Sequence, residues 1–247
     1  AAPSPFLEID KLTKAFGALK AVDAVSFCVS EGEILGIAGP NGSGKSTLFN
    51  IITNIPFRAD SGRTVFKGRE IQSLASHDIA RLGLARTFQR ETVFPTLRSI
   101  DNVLLAVENG AHAGSKRDNE ARAEAALDLT GFPATMHNTP AGGLPIFHRK
   151  LVMIAGALAL DPAVVLLDEP AGGINPEETE NLAALIRKMV DHGITVCLIE
   201  HKMDMIMSLA DKIMVLDHGE KIAEGTPEAV RQSPEVIRAY LGEEADA

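Results

Sequence analysis

Glycines, a lysine and a hydroxyl fall at fixed spacing in Gly39-Pro40-Asn41-Gly42-Ser43-Gly44-Lys45-Ser46, a pattern suited to wrapping nucleotide phosphates. The glycines let backbone N–H groups turn inward around phosphate oxygens, Lys45 reaches the terminal phosphates, and the Ser46 hydroxyl can ligate Mg²⁺. Asn41, Gly42, Gly44, Lys45, Ser46 and Thr47 are therefore the nucleotide-binding candidates. A second signal is Ala163-Val164-Val165-Leu166-Leu167-Asp168-Glu169-Pro170, an apolar run that ends in adjacent carboxylates. Asp168 suits coordination of a hard divalent ion, directly or through water, and Glu169 suits general-base work on an attacking water. A polar pair that merely closes a core strand is the plainer reading of Asp168-Glu169, and the presence of Lys45 and Ser46 weighs against it.

These groups need a scaffold, and the flanking sequence supplies one. Glu33 to Ala38 reads as a buried strand entering the loop, and Ser46 to Ile52 as a helix whose N-terminus faces the anion. Upstream, residues 5 to 38 form short β-like runs such as Leu7-Glu8-Ile9 and Val25-Ser26-Phe27-Cys28-Val29, punctuated by Gly17 and Gly32, which predicts an antiparallel flank. From about Glu91 to Leu160 the periodicity is helical, including Glu120 to Leu129 and His148 to Leu160, with breaks at Gly131, Pro133 and Gly142-Gly143. Strands return at Ala163–Leu167, Ile194–Ile199 and Lys212–Leu216, with a helix from about Pro176 to Val190. The expected fold is α/β, a P-loop NTPase (RecA-like) core with an antiparallel β flank and an inserted α-helical subdomain. In this reading residues 1–247 form a single nucleotide-binding domain, with 1–90 and 161–247 as flank plus core and 91–160 as the helical subdomain. The polar stretch Gly114 to Arg122 reads as a solvated helix start.

Composition narrows the partners. A length of 247 residues allows one large domain with a sizeable core, and a formal net charge of −9 disfavours a nucleic-acid surface, which needs a basic excess. Cys28 and Cys197 lie inside apolar runs with no further metal-ligand partners, so both are expected to be buried and reduced. No stretch approaches the roughly twenty apolar residues of a membrane helix and no signal peptide opens the chain, so membrane contact is expected through a partner.

The ordered set of phosphate loop, Gln89 after a strand, Asp168-Glu169-Pro170, Gly173-Ile174-Asn175-Pro176 and Ile199-Glu200-His201 resembles the nucleotide-binding domain of ABC transporters over almost the whole chain. The resemblance implies ATP and Mg²⁺ as cofactors and ATP hydrolysis coupled to transport. It matches Phe16 to the aromatic that stacks on adenine, with Val22 nearby, and Gln89 to the glutamine that touches Mg²⁺ or water and senses the transmembrane subunit. It matches Gly173, Ile174 and Asn175 to a loop at the dimer interface and His201 to the γ-phosphate histidine. The catalytic candidates are thus Glu169, His201, Lys45 and Gln89, and the metal candidates Ser46, Gln89 and Asp168. Ala85-Arg86-Thr87-Phe88-Gln89, Asp168 through Pro176 and the tail Ser233 to Gly242 resemble the ATP-binding subunits of branched-chain amino-acid importers, with urea and short-chain amide importers close in wording. The implied setting is the cytoplasmic face of the inner (plasma) membrane, peripheral, with transmembrane permease subunits and, indirectly, a solute-binding protein.

One segment departs from the family pattern. Where the signature loop is expected, the chain reads Leu144-Pro145-Ile146-Phe147-His148-Arg149-Lys150, with Ile146 and Phe147 where the subfamily carries Tyr and Gly. Phe147 adds a ring where backbone N–H groups should approach a γ-phosphate. A register that brings Gly142-Gly143 into the loop needs about one more helical turn before the helix. The expectation is an asymmetric pair, in which a second ATPase chain with an intact signature completes this chain's site. Three other readings remain open: a non-transport ABC ATPase, a P-loop small-molecule kinase, and a regulatory subunit that binds ATP with little hydrolysis.

Overall fold

The computed structural model describes residues 6–90 and 92–245. The expected boundary at Glu91 and the opening Ala1-Ala2-Pro3-Ser4 lie outside the described residues. The chain divides into two compact units, one made of residues up to Ser76 and from Thr195 onward, the other of His77–Ile194. The second unit is wider than the 91–160 helical segment of the sequence reading, because it also takes in two strands and the helix after them.

In the first unit, β1 (Leu7–Phe16), β2 (Leu19–Val29), β4 (Ser61–Phe66) and β5 (Arg69–Glu70) form an antiparallel sheet in the order β2-β1-β4-β5. The alternating burial of β2 shows why: Val25, Phe27 and Val29 face the core while the residues between them do not. Cys28 falls on the outer face and is exposed, contrary to the expectation that both cysteines are buried. Its apolar neighbours lie on the opposite face, since period-2 geometry separates residues that are adjacent in sequence. Cys197 is buried, and desolvation pushes its thiol pKa up to about 12, so it stays protonated.

The same unit holds β3 (Ile34–Ala38), parallel to β8 (Thr195–Ile199) and to β9 (Lys212–Asp217), with β10 (Glu220–Gly225) antiparallel beside β9. Every residue of β3 and of β8 is buried, as expected for parallel strands covered on both faces. Helix α1 (Lys45–Thr53) follows β3 through the glycine-rich loop, α7 (Met203–Leu209) follows β8, and α8 (Pro227–Arg231) and α9 (Pro234–Ala245) close the chain.

The second unit opens at the second residue of α2 (Ser76–Arg81) and pairs β6 (Leu84–Arg86) in parallel with β7 (Val164–Asp168), with Arg86 opposite Leu166. Between these strands run α3 (Ser99–Asn109), α4 (Lys116–Thr130) and α5 (Ile146–Leu158), and α6 (Pro176–Asp191) follows β7. Helix α4 starts at a reciprocal capping box of Ser115 and Asp118, so the polar stretch there is a helix start.

Candidate functional site

The glycine-rich loop between β3 and α1 has a backbone that only glycine supports at its two ends. Gly39 has φ +144° and Gly44 φ +102°, and a Cβ would stand 2.0 Å from the Leu216 carbonyl oxygen at Gly39 and 2.1 Å from that of Ala21 at Gly44. The loop is wedged between β2 and the end of β9 and leads into the N-terminus of α1, the end of a helix that favours an anion. Lys45 is 5% exposed, and its Nζ donates to the carbonyl oxygens of Gly39 and Pro40, each at 2.7 Å, and to Ser43 Oγ at 3.3 Å. The ammonium is thus held over the loop it serves. These residues fit a nucleotide triphosphate on sterics and charge alike. Replacing Lys45 with Ala is expected to weaken ATP binding about 10–100-fold, the range for losing a charge-assisted hydrogen bond, which a fluorescent-nucleotide titration measures. Unchanged affinity would contradict the assignment.

The first unit carries three further candidates. Phe16 is 46% exposed at the end of β1, edge-on to Phe57 at 5.1 Å, with Lys14 Nζ 5.6 Å from both ring centres. An exposed, braced aromatic is what a stacking platform requires. Val22 is fully buried, opposite Lys14 in the β1–β2 register. His201 is exposed two residues past the end of β8, and Glu200 between them is buried.

The second unit holds both carboxylates, and it holds them from one arm. β7 delivers Asp168 with 2% exposure, and the residues leaving β6 reach across to it. Thr87 donates its backbone N–H to Leu166 at 2.9 Å and its Oγ1 accepts from the Asp168 backbone at 3.4 Å. Arg86 Nη2 donates to Asp168 Oδ2 at 2.8 Å, and the two side chains are 4% and 2% exposed. Burial pulls the Arg86 guanidinium below its usual range, and Asp168 opposes that shift. Gln89 Nε2 donates to Glu169 Oε2 at 2.7 Å. Glu169 has φ +49°, a left-handed conformation that costs a non-glycine residue about 1–3 kcal/mol. Backbone strain of this kind aims the carboxylate where the strand alone would not.

The start of α5 differs from the sequence expectation in one respect. Phe147 is half-buried and lines a groove of about 330 Å³ with Leu129, Gly131, Leu151, Leu185 and Lys188. Its ring lies edge-on to His148 at 5.9 Å. Ile146 is the exposed apolar residue there, at 42%, and its Cγ2 lies 4.0 Å from where a Cβ on Gly173 would stand. Ile146, at the position where the subfamily carries Tyr, thus points outward while Phe147 turns into the groove, because one residue along an α-helix rotates the side chain by about 100°. Asn175 caps α6, its Oδ1 accepting from the Glu178 N–H at 2.9 Å while Glu178 Oε2 accepts from its own N–H at 2.9 Å.

Sequence reasoning missed the pairing of Arg86 with Asp168. The available signal was an arginine closing an otherwise apolar strand just ahead of Gln89, and only the β6–β7 register assigns it a partner.

The glycine cradle, the lysine over it and the carboxylate pair at a buried strand end define a P-loop ATPase, and the chain belongs to the ABC transporter family, whose sequence model matches residues 22–172. A second model, described as branched-chain amino acid ATP-binding cassette transporter, matches residues 220–246. Among relatives, the chain is 39% identical to the high-affinity branched-chain amino acid transport ATP-binding protein BraF of Pseudomonas aeruginosa, covering 97% of this chain and 98% of that one. It is 36% identical to LivG of Escherichia coli, described in the same words, over 97% and 98%. Among solved structures, an ATP-binding cassette of an ABC transporter in its ADP conformation superposes with a TM-score of 0.84 at 30% identity, covering 97% of this chain and 99% of that one. A dimeric cassette in a post-hydrolysis state with ADP and Pi superposes at 0.81 and 25% identity, over 90% and 98%. Among the described residues no helix is long and apolar enough to cross a membrane.

Proposed function

We propose that this chain binds and hydrolyses ATP to energise a branched-chain amino-acid importer, acting at the cytoplasmic face of the inner membrane on transmembrane permease subunits. The observation that carries the reading is the ordered pair of phosphate cradle and doubly held carboxylates, together with a C-terminal segment of the branched-chain type. Lys45 and the loop N–H groups bind the β- and γ-phosphates, Phe16 stacks on adenine with Val22 behind it, and His201 contacts the γ-phosphate. Glu169 takes the proton of the attacking water, with Gln89 orienting it. Most of the rate enhancement comes from positioning and charge stabilisation, as is general for phosphoryl transfer.

Mg²⁺ fits the donors present. Asp168 offers a buried hard oxygen donor, and Ser46, Gln89 and Asp168 are the residues that would complete the cation's coordination beside phosphate oxygens. That is the usual habit of Mg²⁺, which binds through one or two carboxylates plus substrate phosphates and supplies charge neutralisation there.

The partner ATPase is a different chain with an intact signature loop. The support is the residue pattern: at the start of α5 Phe147 stands where the resemblance places glycine, so the helix's first turn carries a ring where close backbone approach to a phosphate calls for no side chain. The test is light scattering of the Glu169→Gln chain with saturating Mg-ATP. The chain is expected to bind nucleotide and stay monomeric, then to form a mixed dimer when the second ATPase chain is added. A stable homodimer would overturn the asymmetric pairing and leave a symmetric motor.

A further inference from the structure

Arg86 and Asp168 form a buried ion pair at the point where the proposed function places a metal ligand. Arg86 sits at the last position of β6, opposite Leu166 of β7, and Asp168 lies two residues further along β7. Its Nη2 holds Asp168 Oδ2 at 2.8 Å, its Nε donates to the Thr87 carbonyl oxygen at 3.3 Å, and its guanidinium lies 4.8 Å from the Phe88 ring centre. The side chains are 4% and 2% exposed, so water does little to screen either charge. A carboxylate so compensated is a poor site for a bare divalent cation, because the incoming ion meets the guanidinium's positive charge at short range in a medium of low dielectric. Nucleotide phosphates would bring the negative charge that makes both cations tolerable.

We infer that Arg86 is a positioning residue that makes cation binding at Asp168 conditional on nucleotide, holding the carboxylate ordered and charge-compensated until phosphates arrive with the metal. The inference rests on the assignment of Asp168 as a metal ligand. Arg86 acts through its hold on Asp168. Its contact with Phe88, one residue before Gln89, also ties the carboxylate's holder to the arm that holds Glu169.

The experiment uses Mn²⁺ alone, without nucleotide, and reads the free-ion signal by electron paramagnetic resonance. The parent chain is expected to take up little Mn²⁺. Arg86→Met, which keeps length and the packing on Phe88, is expected to bind it at least about tenfold more tightly, and Arg86→Met with Asp168→Asn is expected to lose that gain. Arg86→Gln, which keeps a hydrogen bond to Asp168 without the charge, is expected to show the same gain and serves if the methionine chain fails to fold. A merely structural arginine would lower the melting temperature without changing Mn²⁺ uptake. Parent chain that already binds Mn²⁺ tightly, a folded neutral variant with no gain, or a gain that survives Asp168→Asn would each overturn the inference. A parallel Mg-ATP titration of the parent separates the two readings: failure to bind nucleotide counts against the proposed function, whereas normal binding with no Mn²⁺ gain in the variants counts against Arg86 alone.

Discussion

Replacing Glu169 with Gln is expected to lower ATP turnover about 10²–10⁴-fold while leaving Mg-ATP affinity within a few-fold of the parent. The asymmetry follows from what the substitution removes. Gln keeps the shape and an acceptor oxygen for the Gln89 amide, now at 2.7 Å from Glu169, but it has no lone pair basic enough to take a proton from water. The phosphate cradle is formed by other residues, so binding is spared. The measurement is phosphate release at saturating Mg-ATP in the assembled transporter, paired with nucleotide titration. Loss of binding in step with turnover would mean that Glu169 maintains the fold of the site and is not the base. Gln89→Ala is expected to do less, since it removes one orienting hydrogen bond and leaves the carboxylate charge.

Gly44→Ala is the second large effect, and here binding itself should fail. The residue caps α1 at φ +102°, and the added Cβ would lie 2.1 Å from the Ala21 carbonyl oxygen and 3.6 Å from Gly219 Cα. The neighbour is backbone within a β-strand, so the loop must move, and with it the first N–H groups of α1. About 2–4 kcal/mol of local strain is expected, from the left-handed conformation and the clash together, and ATP affinity should fall at least about tenfold. Gly42→Ala is the comparison: it has φ +75° but nothing within 4 Å of its Cβ, so only the conformational cost applies. Equal losses at both positions would show that sterics at Gly44 do not decide the loop's shape. Calorimetric titration and thermal melting together distinguish lost binding from lost folding.

Much of the scaffold was legible because its determinants are local. Continuous apolar runs at Ile34–Ala38 and Val164–Leu167 announce strands buried on both faces, and all their residues are buried. The helix read from Ser46 begins one residue earlier, at Lys45, and the helix read from about Pro176 begins there, behind its Asn175 cap. Cys28 shows the limit of that method. Its neighbours are apolar, but the question of burial belongs to the face of the sheet and not to the composition of the run.

The start of α5 shows the same limit at the candidate interface. A motif comparison aligns Phe147 with the position that demands glycine, yet the helix phase turns Phe147 into the groove beside α4 and α6 and leaves Ile146 outward. The motif comparison places the two residues in the segment, and the packing decides which face of the helix each one takes.

The sequence by itself determined the chemistry that repeats over a few residues: a glycine loop with its lysine, a hydroxyl at the head of a helix, and two carboxylates at a strand's end. Those features are set by backbone conformation and side-chain type within one short stretch, where propensity and spacing carry the information. Only the tertiary structure decided the pairings between Arg86 and Asp168 and between Gln89 and Glu169, which join positions about eighty residues apart. Such pairings depend on the register of β6 against β7, and a one-residue slip would turn each side chain to the opposite face.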